Sequence, residues 1–122
     1  MNECKIIIAG GRNFFDYGLV CDSYKELINS FIVEYDKISI VSGCALGADQ
    51  LGIRLAQIYG LGLYEFPANW EKYGRKAGPI RNTEMGEFAD MALIFWDGES
   101  KGTKHMISVM HRLNKPYTVI NY

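Results

Sequence analysis

The chain predicts an α/β fold: a three-layer sandwich with a five-stranded, mainly parallel sheet in the order 3-2-1-4-5 and helices on both faces. Three observations carry that prediction. The hydrophobic period switches repeatedly between short apolar runs and stretches of helical spacing. The runs end at turn residues, as at Gly10-Gly11, Pro67 and Asp97-Gly98. Strands that alternate with helices must pair in parallel, and right-handed crossovers then favour the order given.

The elements follow in sequence. Lys5 to Ala9 is an isoleucine-rich first strand, ended by two glycines. Val20, Tyr24, Leu27, Ile28, Phe31 and Tyr35 recur at helical spacing, with Asp16 or Asp22 available near the start. Ile38 to Val41 is the second strand. In the helix Asp49 to Tyr59, Leu51, Leu55, Ile58 and Tyr59 form one face, and Gly60 suits the stop. Leu63 to Phe66 is the third strand. Ala68 to Pro79, with two glycines and a proline, reads as an irregular loop near the site, followed by a helix from Ile80 to Phe88. Met91 to Trp96 is the fourth strand. The helix Lys104 to Leu113 buries Met106, Val109, Met110 and Leu113, and Asn114-Lys115-Pro116 turns into a last strand, Tyr117 to Ile120.

A length of 122 residues with 48% hydrophobic and 22% charged side chains indicates one domain over residues 1–122. A net charge of -1 argues against a broad nucleic-acid surface. Cys4, Cys21 and Cys44 form no CxxC pair and leave one thiol over if two bridge, which fits a reducing compartment. His105 and His111, six apart, fall on different helix faces, so no metal site is expected. Neither a signal peptide nor a membrane span is legible, and a cytoplasmic protein without a cofactor is expected.

Candidate chemistry lies in three strand-to-helix loops, where backbone N–H groups and a helix N-terminus favour an anion. These are Gly10-Gly11-Arg12, Ser42 to Asp49, and Asp97-Gly98-Glu99-Ser100-Lys101-Gly102-Thr103. In the order 3-2-1-4-5 the first and third flank the switch point, where open α/β sheets bind ligands. Neither GxGxxG nor GxxxxGK[ST] is present, which disfavours ordinary dinucleotide and P-loop sites.

Each feature also has a plainer reading. The glycine pair serves a tight turn as well as a ligand. Asp49 either complements a helix dipole or accepts from a sugar hydroxyl. Arg81-Asn82 opens a helix, where a cation opposes the dipole unless phosphate or a carboxylate compensates. Cys44 reads as a packing residue. Trp96 suits core or base stacking, and Trp70 is the better stacking candidate. His105 could touch phosphate or act as acid or base.

Together these residues resemble the YspA-type, YpsA-related family of the SLOG superfamily, which also holds the Lonely Guy phosphoribohydrolases and DNA-processing protein A. The likeness rests on Gly10-Gly11-Arg12, Val41-Ser42-Gly43 through Asp49, Phe66 to Trp70, Ala77 to Asn82 with Met85, Ala89-Asp90, and Phe95 to Gly98 with Ser100, Gly102 and Thr103. It implies a Rossmann-like domain that binds a nucleotide or nucleotide-derived signal, as sensor or sequestering protein, in stress or phage-host conflict. It also implies a homodimer or larger homo-oligomer.

Arg81 looks like the arginine of the Lonely Guy enzymes, yet Lys104-His105-Met106 follows Gly102-Thr103 where those enzymes place carboxylates. Binding is therefore expected ahead of hydrolysis of a nucleoside monophosphate N-glycosidic bond, and no catalytic residue is assigned. The ligand-binding set expected at the carboxyl ends of the strands is Gly10, Gly11, Arg12, Ser42, Gly43, Asp49, Trp70, Arg81, Asn82, Asp97, Gly98, Ser100, Gly102 and Thr103.

Overall fold

The computed structural model describes residues 2–30 and 35–122. Its elements run β1 (Glu3–Gly10), α1 (Tyr17–Ser30), β2 (Lys37–Ser42), α2 (Ala48–Tyr59), β3 (Gly62–Glu65), α3 (Trp70–Tyr73), a 3-10 turn (Gly74–Lys76), α4 (Ala77–Phe88), β4 (Met91–Trp96), α5 (Lys101–Arg112) and β5 (Tyr117–Asn121). The sheet order is β3-β2-β1-β4-β5, as expected, and all four pairings are parallel.

Alternation along β1 sends successive side chains to opposite faces and so builds two cores. Ile6 and Ile8 pack with Val20, Tyr24, Leu27 and Leu55 beneath α1 and α2. Ile7 and Ala9 pack with Met85, Met106, Val109 and Met110 beneath α4 and α5. The three isoleucines are fully buried, and each contributes roughly 1.5–3 kcal/mol of apolar burial. Below α4, the Lys115 ammonium donates to the carbonyls of Gly86, Glu87 and Ala89 at 2.8, 2.9 and 2.7 Å, closing the carboxyl end of that helix.

Several boundaries differ from the sequence expectation. α1 starts earlier, at Tyr17, because Asp16 Oδ1 accepts from the Leu19 N–H at 3.1 Å. Phe31 lies outside the described residues, and Tyr35 is a non-helical residue leading into β2. On α2 the small residues Ala48, Gly52 and Ala56 face the sheet with Leu55, and Ile58 is exposed. Small side chains let the helix sit close, which the apolar count along the helix did not favour.

The largest correction concerns Ala68 to Pro79. It is not an irregular loop. Asn69 caps α3 by accepting from the Lys72 N–H at 3.1 Å, and α4 already begins at Ala77. Pro79 stands in the first turn of α4, where its missing N–H has no intrahelical partner to lose. Similarly α5 begins at Lys101, so Gly102 and Thr103 belong to its first turn and not to the loop.

Candidate functional site

The β1 and β4 ends come together at Gly10 and Phe95, which are paired in register. Helices leave on opposite faces there, and the gap between them is a cleft of about 640 Å³. Its walls are the turn after β1, the first turn of α5, and the start of α4 with Trp70. Gly10, Gly11, Arg12, Asp49, Trp70, Arg81, Asn82, Asp97, Ser100, Gly102 and Thr103 line it. A smaller hollow of about 300 Å³ shares Arg12, Ala45, Trp70 and Arg81, and Gly43 lines that one. Ser42 and Gly98 line neither.

The three loops place their hydrogen-bonding groups very differently. At the first, the Gly11 N–H donates to the Phe95 carbonyl at 3.2 Å and is not free for an anion. A Cβ on Gly10 would run into that same Phe95 carbonyl, so the strands can approach here only with glycine. The glycine pair therefore serves the turn, and its backbone forms a wall of the cleft.

The second loop is braced by its side chains, although the N–H groups of Gly43, Leu46, Gly47 and Asp49 make no hydrogen bond among the described residues. The Ser42 hydroxyl is fully buried, donates to the Asp49 carbonyl at 3.0 Å and accepts from the Cys44 N–H at 3.2 Å. Asp49 Oδ2 accepts from the Ala45 N–H at 3.2 Å, and Gln50 Nε2 donates to the Cys44 carbonyl at 3.0 Å. Ser42 is thus a brace within the loop. The Cys44 thiol lies 3.4 Å from Glu65 Oε2, and burial together with that carboxylate pushes its pKa up, so it packs as a thiol.

The third loop is open at its end. Asp97 Oδ1 accepts from the Glu99 and Ser100 N–H groups at 2.9 and 2.8 Å, which holds its carboxyl below the ordinary range. Trp96 Nε1 donates to the Ser100 carbonyl at 3.1 Å, so this tryptophan braces the loop. Ser100 Oγ caps α5 by accepting from the Thr103 N–H at 3.4 Å. The N–H groups of Lys101 and Gly102 make no hydrogen bond among the described residues. They line the cleft at the positive end of a helix dipole, and a Cβ at Gly102 would meet nothing within 4 Å.

Arg81 reaches the cleft by a route other than the one its sequence position suggested. With α4 starting at Ala77, Arg81 stands in the second turn and does not oppose the dipole at a helix start. Its Nη1 donates to the Gly43 carbonyl and its Nε donates to Asn82 Oδ1 at 3.0 Å. A Cβ on Gly43 would lie 2.6 Å from Arg81 Nη1 and 2.8 Å from Asp49 Oδ2, so only glycine leaves room for both groups. Asp49 is nearly fully buried, and burial lifts its carboxyl to about 6 against the pull of the Ala45 N–H, Arg81 and Arg12.

Asn13, Met85, Lys101, His105 and Met106 also line the cleft, and the expected binding set did not include them. Met85 lies one turn beyond Arg81, and Asn13 directly follows the glycine-arginine turn; these spacings are the signals that could have found them. Met85 and Met106 add apolar lining to the cleft beside its cations. Among the described residues, no three His, Cys, Asp or Glu side chains gather as a metal set, and no helix is long and apolar enough to cross a membrane.

Comparison with known proteins agrees with the resemblance read from the loops. A family model described as the YspA, cpYpsA-related SLOG family matches residues 4–73. The chain is 33% identical over 126 residues to the Gene 61 protein of Mycobacterium phage D29, covering 97% of this chain and 95% of that protein. No solved structure matches.

Proposed function

The chain belongs to the YspA, cpYpsA-related SLOG family, and from that premise we propose that its cleft binds a nucleotide or nucleotide-derived signal, as a sensor or sequestering protein. One observation carries the reading. The unpaired N–H groups of Lys101 and Gly102 share a cleft with Arg12, Arg81 and the apolar side chains of Met85, Met106 and Trp70. The first set suits a phosphate and the second a planar base. Native mass spectrometry of freshly purified protein tests it directly. A co-purifying nucleotide supports the reading, and bare protein that also ignores added nucleoside monophosphates contradicts it.

Turnover is a second reading, favoured by one observation. Asp97 is tied to its own loop, but the Asp49 carboxyl lies buried at the cleft with its pKa raised to about 6. Such a group could activate water against a glycosidic bond. Binding is preferred because Lys104-His105-Met106 supplies no carboxylate beside the helix N-terminus. Adenosine, guanosine and cytidine monophosphates are expected to stay intact on long incubation. Base release above roughly one turnover per second that vanishes in Arg81→Ala would establish the hydrolase instead.

Assembly as a homodimer or larger homo-oligomer in the cytoplasm belongs to the same proposal, with twofold closure the commonest form. Sedimentation at micromolar protein reads it, and a pure monomer would contradict it. A role in stress or phage-host conflict is consistent with likeness to a phage gene product.

A further inference from the structure

Asn82 joins three groups whose hydrogen-bonding roles are set by their chemistry. Its Oδ1 accepts from Arg81 Nε at 3.0 Å, and a guanidinium can only donate. Its Nδ2 lies 3.3 Å from the Gly102 carbonyl, which can only accept. The orientation of the amide is therefore fixed from both ends. Nδ2 also meets His105 Nδ1 at 3.2 Å, so that ring nitrogen must accept. His105 is then the neutral tautomer with its proton on Nε2. Burial, followed by the charge of Arg112, pushes its pKa down in agreement with a neutral ring.

Nε2 makes no hydrogen bond among the described residues, and the ring lines the cleft. Side chains on a helix lean toward its N-terminus. From one turn inside α5, the imidazole leans back toward Lys101 and Gly102, whose N–H groups are unpaired. We propose that His105 donates from Nε2, as a neutral imidazole, to the phosphate seated on α5, and that Asn82 is the positioning residue that fixes its tautomer. The inference rests on the nucleotide reading. It adds that Arg81, Asn82 and His105 form one chain of contacts linking the Gly43 turn to the phosphate seat.

Imidazole 15N–1H correlation spectra test this, recorded at neutral pH without ligand and during titration with adenosine monophosphate. His111, whose Nδ1 faces the Tyr117 hydroxyl at 3.3 Å, is the internal reference. The expected result is an Nε2-protonated His105 whose Nε2 signal moves on titration. Asn82→Asp should transfer the proton to Nδ1, since a carboxylate only accepts, and Asn82→Ala should give mixed tautomers. His105→Ala should weaken adenosine monophosphate binding roughly tenfold or more. A ligand-free His105 that is Nδ1-protonated or cationic would overturn the proposal. So would nucleotide that shifts the Lys101 and Gly102 amides and leaves His105 unmoved. If no cleft resonance responds while the tautomer is as stated, the nucleotide reading itself fails and the phosphate contact falls with it.

Discussion

The turn after β2 and the turn after β4 look alike in sequence, each glycine-bearing, each with a serine and an aspartate, each leading into a helix. In the structure they leave their spare donors in different places. Ser42, Cys44, Ala45 and Asp49 bond among themselves, and the spare N–H groups at Gly43, Leu46 and Gly47 belong to residues that do not line the cleft. Asp97, Ser100 and Thr103 also bond among themselves, but they fold the loop so that the next two N–H groups remain unpaired at the cleft. A glycine loop serves an anion in the cleft only when the donors left over after the loop has closed also line that cleft.

The sharpest way to break that comparison is at glycines with different surroundings. Gly10→Ala drives a Cβ into the Phe95 carbonyl, and backbone cannot step aside. It should cost about 3 kcal/mol of stability in urea melts, at the upper end of overpacking effects. A loss under ~1 kcal/mol would mean that the β1 and β4 ends can part, and the cleft wall is not rigid.

Asp49 sharpens the contrast through pH. Its folded carboxyl is raised to about 6 from an ordinary value near 3.8. A raised acid binds its proton more tightly when folded, so the cost to stability is absent below about 3.8 and fully present above about 6. Asp49→Asn keeps an acceptor for the Ala45 N–H and removes the cost, so stability should rise by about 3 kcal/mol at neutral pH and change little at pH near 4. Paired denaturation curves at the two pH values read this out. Equal effects at both would contradict burial as the cause.

Gly102→Ala is the smallest change in stability and separates fold from function. Its surroundings are open and its place is helical, so alanine should stabilise by roughly 0.5–1 kcal/mol. The same Cβ sits beside the unpaired N–H groups and should weaken phosphate-ligand binding. Calorimetry with adenosine monophosphate, beside a thermal melt, checks both signs. Unchanged affinity would move the anion seat elsewhere.

The sheet order was legible because alternating strands and helices leave few ways to wind a parallel sheet. The loop positions were legible for the same reason. What each loop does was not, since the partners of Ser42 and Gly11 lie across the fold or within a folded turn. The start of α4 was hidden by Ala77-Gly78-Pro79, which reads as a break until Pro79 is placed in a first turn. With α4 starting at Ala77, Arg81 does not oppose the helix dipole, and its contacts with Gly43 and Asn82 are what hold it at the cleft.

Backbone amide shifts during titration with adenosine monophosphate test the central claim most directly, because they report on both turns at once. The account predicts the largest shifts at Lys101 and Gly102, with the Cys44 and Ala45 amides nearly still. Larger shifts at Cys44 and Ala45, or none at either turn, would contradict it.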